Sequence, residues 1–148
     1  MSVIYGVIPM LADRKDELAA WLRSLDVACP EGTGRYPSIQ ELRTVLDQLD
    51  GYTVRCSTGA LGHWYAEVSP ADRATSDGAD IVVSNFSGNE ADPHEFYFVH
   101  SSRRVILLIV QRLASLCGPL MVVPDTGDLP VVVTPDLDLE QALLAWKS

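Results

Sequence analysis

Residues 52–68 read YTVRCSTGALGHWYAEV, and the period of this stretch decides the fold class. Tyr52, Val54 and Cys56 alternate with Thr53, Arg55 and Ser57; beyond a Gly59–Gly62 connection, Trp64, Ala66 and Val68 alternate with His63, Tyr65 and Glu67. Successive side chains of an extended chain point to opposite sides, so the two runs read as an antiparallel hairpin with one apolar and one mixed face. Downstream, Ile81–Phe86 and Glu95–Val99 read as two more strands of the same meander. A Pro-, Ser-, Asp- and Gly-rich surface loop over 69–79 and the turn-rich Ser87–Pro93 separate them.

On either side the period lengthens. Val3–Met10 is apolar on both faces, as in a covered strand, and Asp13, Asp16 and Glu17 place negative charge at a helix amino terminus. Leu18, Trp21, Leu22 and Leu25 follow at helical spacing. After the loop Cys29–Pro37, Ser38 and Glu41 form a capping box, and Ile39, Leu42, Val45, Leu46 and Leu49 make a second stripe ending at Gly51. Ser101 or Ser102 caps a helix running to Gly118 whose polar residues, Arg104, Gln111, Arg112 and Ser115, occupy one narrow stripe, so it packs across the sheet. Leu120–Val123 and Val131–Val133 are short strands around the turn Asp125–Pro130, and Leu139, Ala142, Leu143 and Trp146 stripe a last helix capped by Asp136 or Asp138. No repeat or linker interrupts the order. The expectation is one α+β domain over 1–148, with a mostly antiparallel sheet of about five to seven strands packed on about four helices.

The 148 residues include 20 Asp and Glu against 11 Lys and Arg, a net charge of −9. That balance argues against a nucleic-acid or anionic-membrane partner, both of which are bound through Lys and Arg. Asp77, Asp80, Glu90, Asp92 and Glu95 follow one another between Arg73 and Arg103 without a base, and Asp125, Asp128, Asp136, Asp138 and Glu140 do the same between Arg112 and Lys147. Cys29, Cys56 and Cys117 form no CxxC pair, Cys117 reading as a small buried apolar residue; Met1–Met10 lacks the basic start of a signal peptide. The longest strongly apolar run, Val105–Val110, is far shorter than the ~20 residues of a spanning helix. The expected setting is cytoplasmic and reducing.

Motifs that carry chemistry are thin. Asp125-Thr126-Gly127 after an apolar strand is the aspartic-protease tripeptide, but Pro124 precedes it and the charged Asp128 follows it, so it reads as a turn. His94-Glu95 starts an H-E-x-x-H helix that Phe98 fails to complete. His94 and His100, read on one strand, would stand about 20 Å apart, too far for one ion. Cys56 and His63 supply two ligands where zinc needs more. No G-x-S-x-G elbow and no phosphate-binding glycine loop is present, so neither metal nor cofactor is expected.

Surface chemistry remains. Tyr65 and Tyr97 fall on the polar side of their strands beside the acidic segments, and aromatic anchors ringed by carboxylates are the make-up of a protein interface. Glu67, Asp77, Asp80, Glu90, Asp92 and Glu95, with Tyr65 and Tyr97 as anchors, are the expected partner-binding set. In size, acidity and want of catalytic motifs the chain resembles the immunity proteins encoded beside bacterial polymorphic and type VI secretion toxins. The segment Gly118–Val133, GPLMVVPDTGDLPVVV, looks like the closing hairpin of small bacterial proteins of this kind. The resemblance implies a cytoplasmic, non-catalytic inhibitor that occludes a basic toxin domain. Two other readings stand beside it: a small enzyme or ligand-binding domain built on Cys56, His63, His100, Asp125 and Asp128, and a self-associating protein with Val105–Val110 or Val131–Val133 at a dimer seam.

Overall fold

The computed structural model describes residues 3–59, 62–72 and 77–146. In chain order these form β1 (Tyr5–Pro9), a 3-10 turn over Ala12–Arg14 leading into α1 (Lys15–Ser24), α2 (Ile39–Asp47), β2 (Tyr52–Thr58), β3 (Trp64–Pro70), β4 (Ala79–Val83) and β5 (Tyr97–Val99). They are followed by α3 (Arg103–Cys117), β6 (Leu120–Pro124), β7 (Val131–Val133) and α4 (Leu139–Ala145). All seven strands join one sheet in the order β2-β3-β4-β5-β1-β6-β7. Every neighbouring pair is antiparallel. This is the α+β arrangement that the alternating and helical periods predict.

One face of the sheet carries the main core. Val105, Ile106, Leu107, Ile109, Val110 and Leu113 of α3 have no solvent exposure, and they pack with Trp64, Ile81, Phe98, Leu120 and Val133 of the strands. Ile39, Leu42, Val45 and Leu46 of α2 join this cluster, with partly buried Leu139, Ala142 and Leu143 of α4 at its rim. Helix α1 packs on the opposite face, where Leu18 and Leu22 meet Met10 and Met121, flanked by Ile8, Val123 and Val132. It covers only the β1-β6-β7 end.

The caps follow the sequence. Ser38 accepts from the Glu41 backbone N–H at 3.1 Å while the Glu41 carboxylate accepts from the Ser38 N–H at 3.0 Å, the full capping box. Ser102 caps α3, and of the two aspartates available to α4 it is Asp138 whose side chain accepts from Gln141. The loop after α1 is stitched to the ends of β1 and α3: Gly34 N–H donates to the carbonyl of Met10, just past β1, and Arg35 N–H to that of Cys117. A side chain at Gly34 would press on the Pro119 carbonyl at 2.7 Å, and one at Gly118 would collide with the Thr33 carbonyl. Only glycine permits this backbone approach.

Several boundaries differ from the sequence reading. β4 runs from Ala79 to Val83 rather than Ile81 to Phe86, because the chain turns at Ser84 and Asn85 while Phe86 continues to pack on the core. β5 is Tyr97–Val99, so His94 and His100 do not share a strand: His94 is buried in the preceding loop and His100 takes a left-handed conformation (φ 48°) beyond the strand end. Val105–Val110 is interior except for partly buried Leu108, which removes it as a dimer seam. Of the hairpin connection Gly59–Gly62, Ala60 and Leu61 lie outside the described residues, as do Arg73–Ser76 of the 69–79 loop.

Arg35 binds Glu41 through two contacts of 2.7 Å and also reaches the Leu116 carbonyl, tying the loop, α2 and α3 together. The guanidinium, helped by the Ser38 backbone bond, holds the Glu41 carboxyl down at about 2 against an ordinary 4.5. A depressed carboxyl favours the fold above its ordinary value and loses that contribution as pH falls toward the folded one. Glu41→Gln is therefore expected to be less stable than the parent at pH 7, the gap closing between pH 4.5 and about 2 in denaturant titrations. Leu113→Ala, at a fully buried site on α3, is expected to cost about 2–5 kcal/mol in the same measurement.

Candidate functional site

Because α1 covers only one end, the β2-β3-β4-β5 half of that sheet face carries no helix among the described residues. The register fixes what is presented there. One row runs Ser57, Tyr65, Val82, Tyr97, Gly6 and Val123 across six strands; the next runs Arg55, Glu67, Asp80 and Val99 across four. Tyr65 and Tyr97 are the direct neighbours of Val82 on either side, which is why Val82 is only 8% exposed on a face without a helix. The Tyr97 hydroxyl bonds Ser84 at 3.1 Å, and the Tyr65 hydroxyl lies 3.0 Å from His63 Nδ1, so both rings are held at their polar ends. A shallow depression of about 560 Å³ lies over Arg55, Tyr65, Glu67, Asp80, Val82 and Val99.

The second row is electrostatically unbalanced. Glu67 and Asp80 stand directly opposite each other on adjacent strands, an arrangement that like charges destabilise. Partial burial raises the Asp80 carboxyl above its ordinary value, and the Glu67 charge raises it further. Arg55 is the register partner of Glu67 on the other side, yet none of the three makes an ion pair within 4 Å among the described residues. The row thus sets two carboxylates against one guanidinium, with the His100 charge opposing part of the effect on Asp80.

The expected partner-binding residues divide. Tyr65, Tyr97, Glu67 and Asp80 share this open face, and Glu95 borders it, its charge acting on the Tyr36 phenol. Glu90 does not belong: Arg43 of α2 holds it at 2.7 and 3.2 Å on the helix-covered side, beneath which the Trp64 ring lies 5.5 Å from the guanidinium. Asp92 accepts from Ser87 within its own loop. Asp77 acts on Arg104 of α3. The run of acids between Arg73 and Arg103 is unopposed only along the sequence, and so is Glu140, which Arg104 holds at 2.7 Å.

The residues of the enzyme reading do not converge. Cys56 belongs to the helix side of β2, where burial raises its thiol and the charges of Arg43, Asp47 and Glu90 reach it, whereas His63 bonds Tyr65 on the open side. Asp125 accepts from the Ile4 N–H at 3.1 Å while its own N–H donates to the Ile4 carbonyl, and Asp128 accepts from Thr126. With Gly127 at φ 85°, Asp125-Thr126-Gly127 is the turn that clamps the start of β1. His94 Nε2 accepts from the Ser87 N–H at 3.1 Å, a tie within the 84–97 connection. No group of three or more His, Cys, Asp or Glu among the described residues is placed to hold a metal ion.

Sequence reasoning missed Tyr36, Arg14 and Gly6, which join Glu95 and Tyr97 around a second cleft beside the open face. One signal was available: Gly6 interrupts an otherwise apolar strand. No helix is long and apolar enough to cross a membrane among the described residues. No protein family, curated protein or solved structure matches the chain.

A raised carboxyl favours the fold when protonated, a contribution present below the ordinary value of 3.8 and lost as pH rises through the folded value. Asp80→Asn is accordingly expected to be more stable than the parent at pH 7, by about 0.2–1 kcal/mol, with the advantage shrinking on acidification in chemical denaturation.

Proposed function

We propose that this chain is a non-catalytic protein-binding module of the immunity type, which occludes a basic toxin domain in the bacterial cytoplasm. The observation that carries the reading is the half of the sheet that no helix covers among the described residues, where Tyr65 and Tyr97 flank Val82 and Glu67 and Asp80 stand side by side with no ion pair within 4 Å. Strands make a rigid platform, so the two rings offer apolar area at little entropic cost, as interface anchors do. The paired carboxylates beside them speed encounter with a basic surface, and a partner's cations relieve the repulsion between them. The net charge of −9 acts in the same direction at longer range.

The test is co-expression in a heterologous bacterium with the protein encoded beside this chain's gene. The neighbour alone is expected to arrest growth, and this chain to restore it while co-purifying as a complex. Glu67→Lys combined with Asp80→Lys should lower the association rate by about tenfold or more at low salt and flatten its salt dependence. A harmless neighbour, or arrest that persists without a complex, overturns the inhibitor reading; binding unchanged by the double reversal overturns the choice of face.

A further inference from the structure

Strand β1 contains a glycine that the fold does not require. Gly6 is absent from the left-handed positions of the backbone, and a Cβ built on it would meet only the Val123 carbonyl oxygen, at the ordinary contact distance of 3.8 Å. Gly34 and Gly118, by contrast, are pressed against backbone. Glycine inside a strand is less stable than alanine and commonly marks a place where a ligand or another chain comes close. The gap is not there to seat the ring of Tyr97, its cross-strand neighbour: among the described residues no Tyr97 atom comes within 4 Å of the Cβ position.

The space above Gly6 belongs to a cleft of about 490 Å³ at the line where the cover of α1 ends. Its walls include Tyr36 and Tyr97, with Glu95, Asn85 and Arg14 around it. The Arg14 guanidinium is already held by Glu17 through contacts of 3.2 and 3.3 Å, which leaves the Glu95 carboxylate as the unbalanced charge of the cleft. Two phenol rings, a carboxylate and a floor without a side chain match a flat cation: guanidinium stacks on aromatic faces and meets a carboxylate through paired N–H donors. An ammonium, as a compact point charge, uses less of this arrangement.

Resting on the docking reading above, we infer that this cleft receives an arginine side chain of the partner, laid over Gly6 against Tyr36 and Tyr97 with its guanidinium on Glu95. The cleft adjoins the Tyr65–Val82–Tyr97 row, so one partner surface spans both, and the arginine fixes its register.

The probe is N-acetyl-arginine amide, titrated into the intact chain and followed by amide NMR shifts. Saturable shifts centred on Gly6, Glu95 and Tyr97 are expected with this probe and not with N-acetyl-glutamate amide. Gly6→Leu should abolish them by filling the floor, and Glu95→Gln should weaken binding about tenfold. Gly6→Ala, for which there is room, serves as the folding control and should unfold at no lower denaturant concentration than the parent. The absence of saturable shifts at these residues, or equal shifts in Gly6→Leu, overturns the inference. Its failure is distinct from that of the docking reading: a toxin complex that survives Gly6→Leu but not the Glu67→Lys, Asp80→Lys double change removes the arginine cleft and keeps the face. Arginine binding that depends on Gly6 and Glu95 supports the cleft whatever the neighbour-encoded protein does.

Discussion

Helix α3 must hide nearly its whole circumference, and the rest of the molecule is arranged to let it. Eight of its fifteen residues are buried, five of them Ile, Leu or Val with no exposure between Val105 and Val110. Each such side chain is worth about 1.5–3 kcal/mol when removed from water, so no arrangement that leaves α3 on an outer surface competes. The sheet covers one side, while α2 and α4 close the flanks. Its few polar side chains then reach outward to different segments. Arg112 bonds the Gln48 carbonyl at the end of α2, Gln111 bonds Leu137 ahead of α4, and Arg103 bonds Trp146 after it.

That allocation leaves the other sheet face short of cover. Three helices are drawn to the α3 side, and the single remaining one, α1, spans only β1, β6 and β7. The strands past its edge answer by alternation: Trp64, Ala66 and Val68 point inward while Tyr65, Glu67 and Ser69 point outward. A face that is polar enough to meet water yet carries two tyrosines around a buried valine is suited to meeting another protein as well. The open face therefore follows from the core, being what remains once the most apolar helix has been satisfied.

Much of this was legible before any coordinate. The Ser38–Glu41 capping box, the apolar stripe of α2, the Ser102–Gly118 bounds of α3 and the alternation through 52–68 are local rules, each written within a few residues. Alternation also placed Tyr65, Glu67 and Tyr97 on the outward side of their strands, whereas Asp80 lay ahead of the strand read from Ile81 and was singled out by its charge alone. Relations between distant segments were not legible. Arg43 lies 47 residues from Glu90 and Arg104 lies 36 from Glu140, so both carboxylates looked solitary in the sequence. The cleft over Gly6 takes Tyr36 from one loop and Glu95 from another, and α1 could have packed on either side of the sheet with the same apolar stripe. Local periods state which side chains are hidden together but are silent on strand order.

Strand order has its own consequence for how the chain comes into being. β1 is made first but lies between β5 and β6, and the bond that clamps its start spans 121 residues, from Ile4 to Asp125. At ordinary rates of synthesis that interval is on the order of ten seconds. Until β5 emerges, β2, β3 and β4 can zip into hairpins while β1 waits as an apolar ribbon with both edges bare, and its β6 edge stays bare longer still. Such ribbons seek any strand on offer, including those of neighbouring nascent chains. β6 and β7 are the last strands to become available, and the edge of β1 opposite β5 is covered only when β6 reaches it.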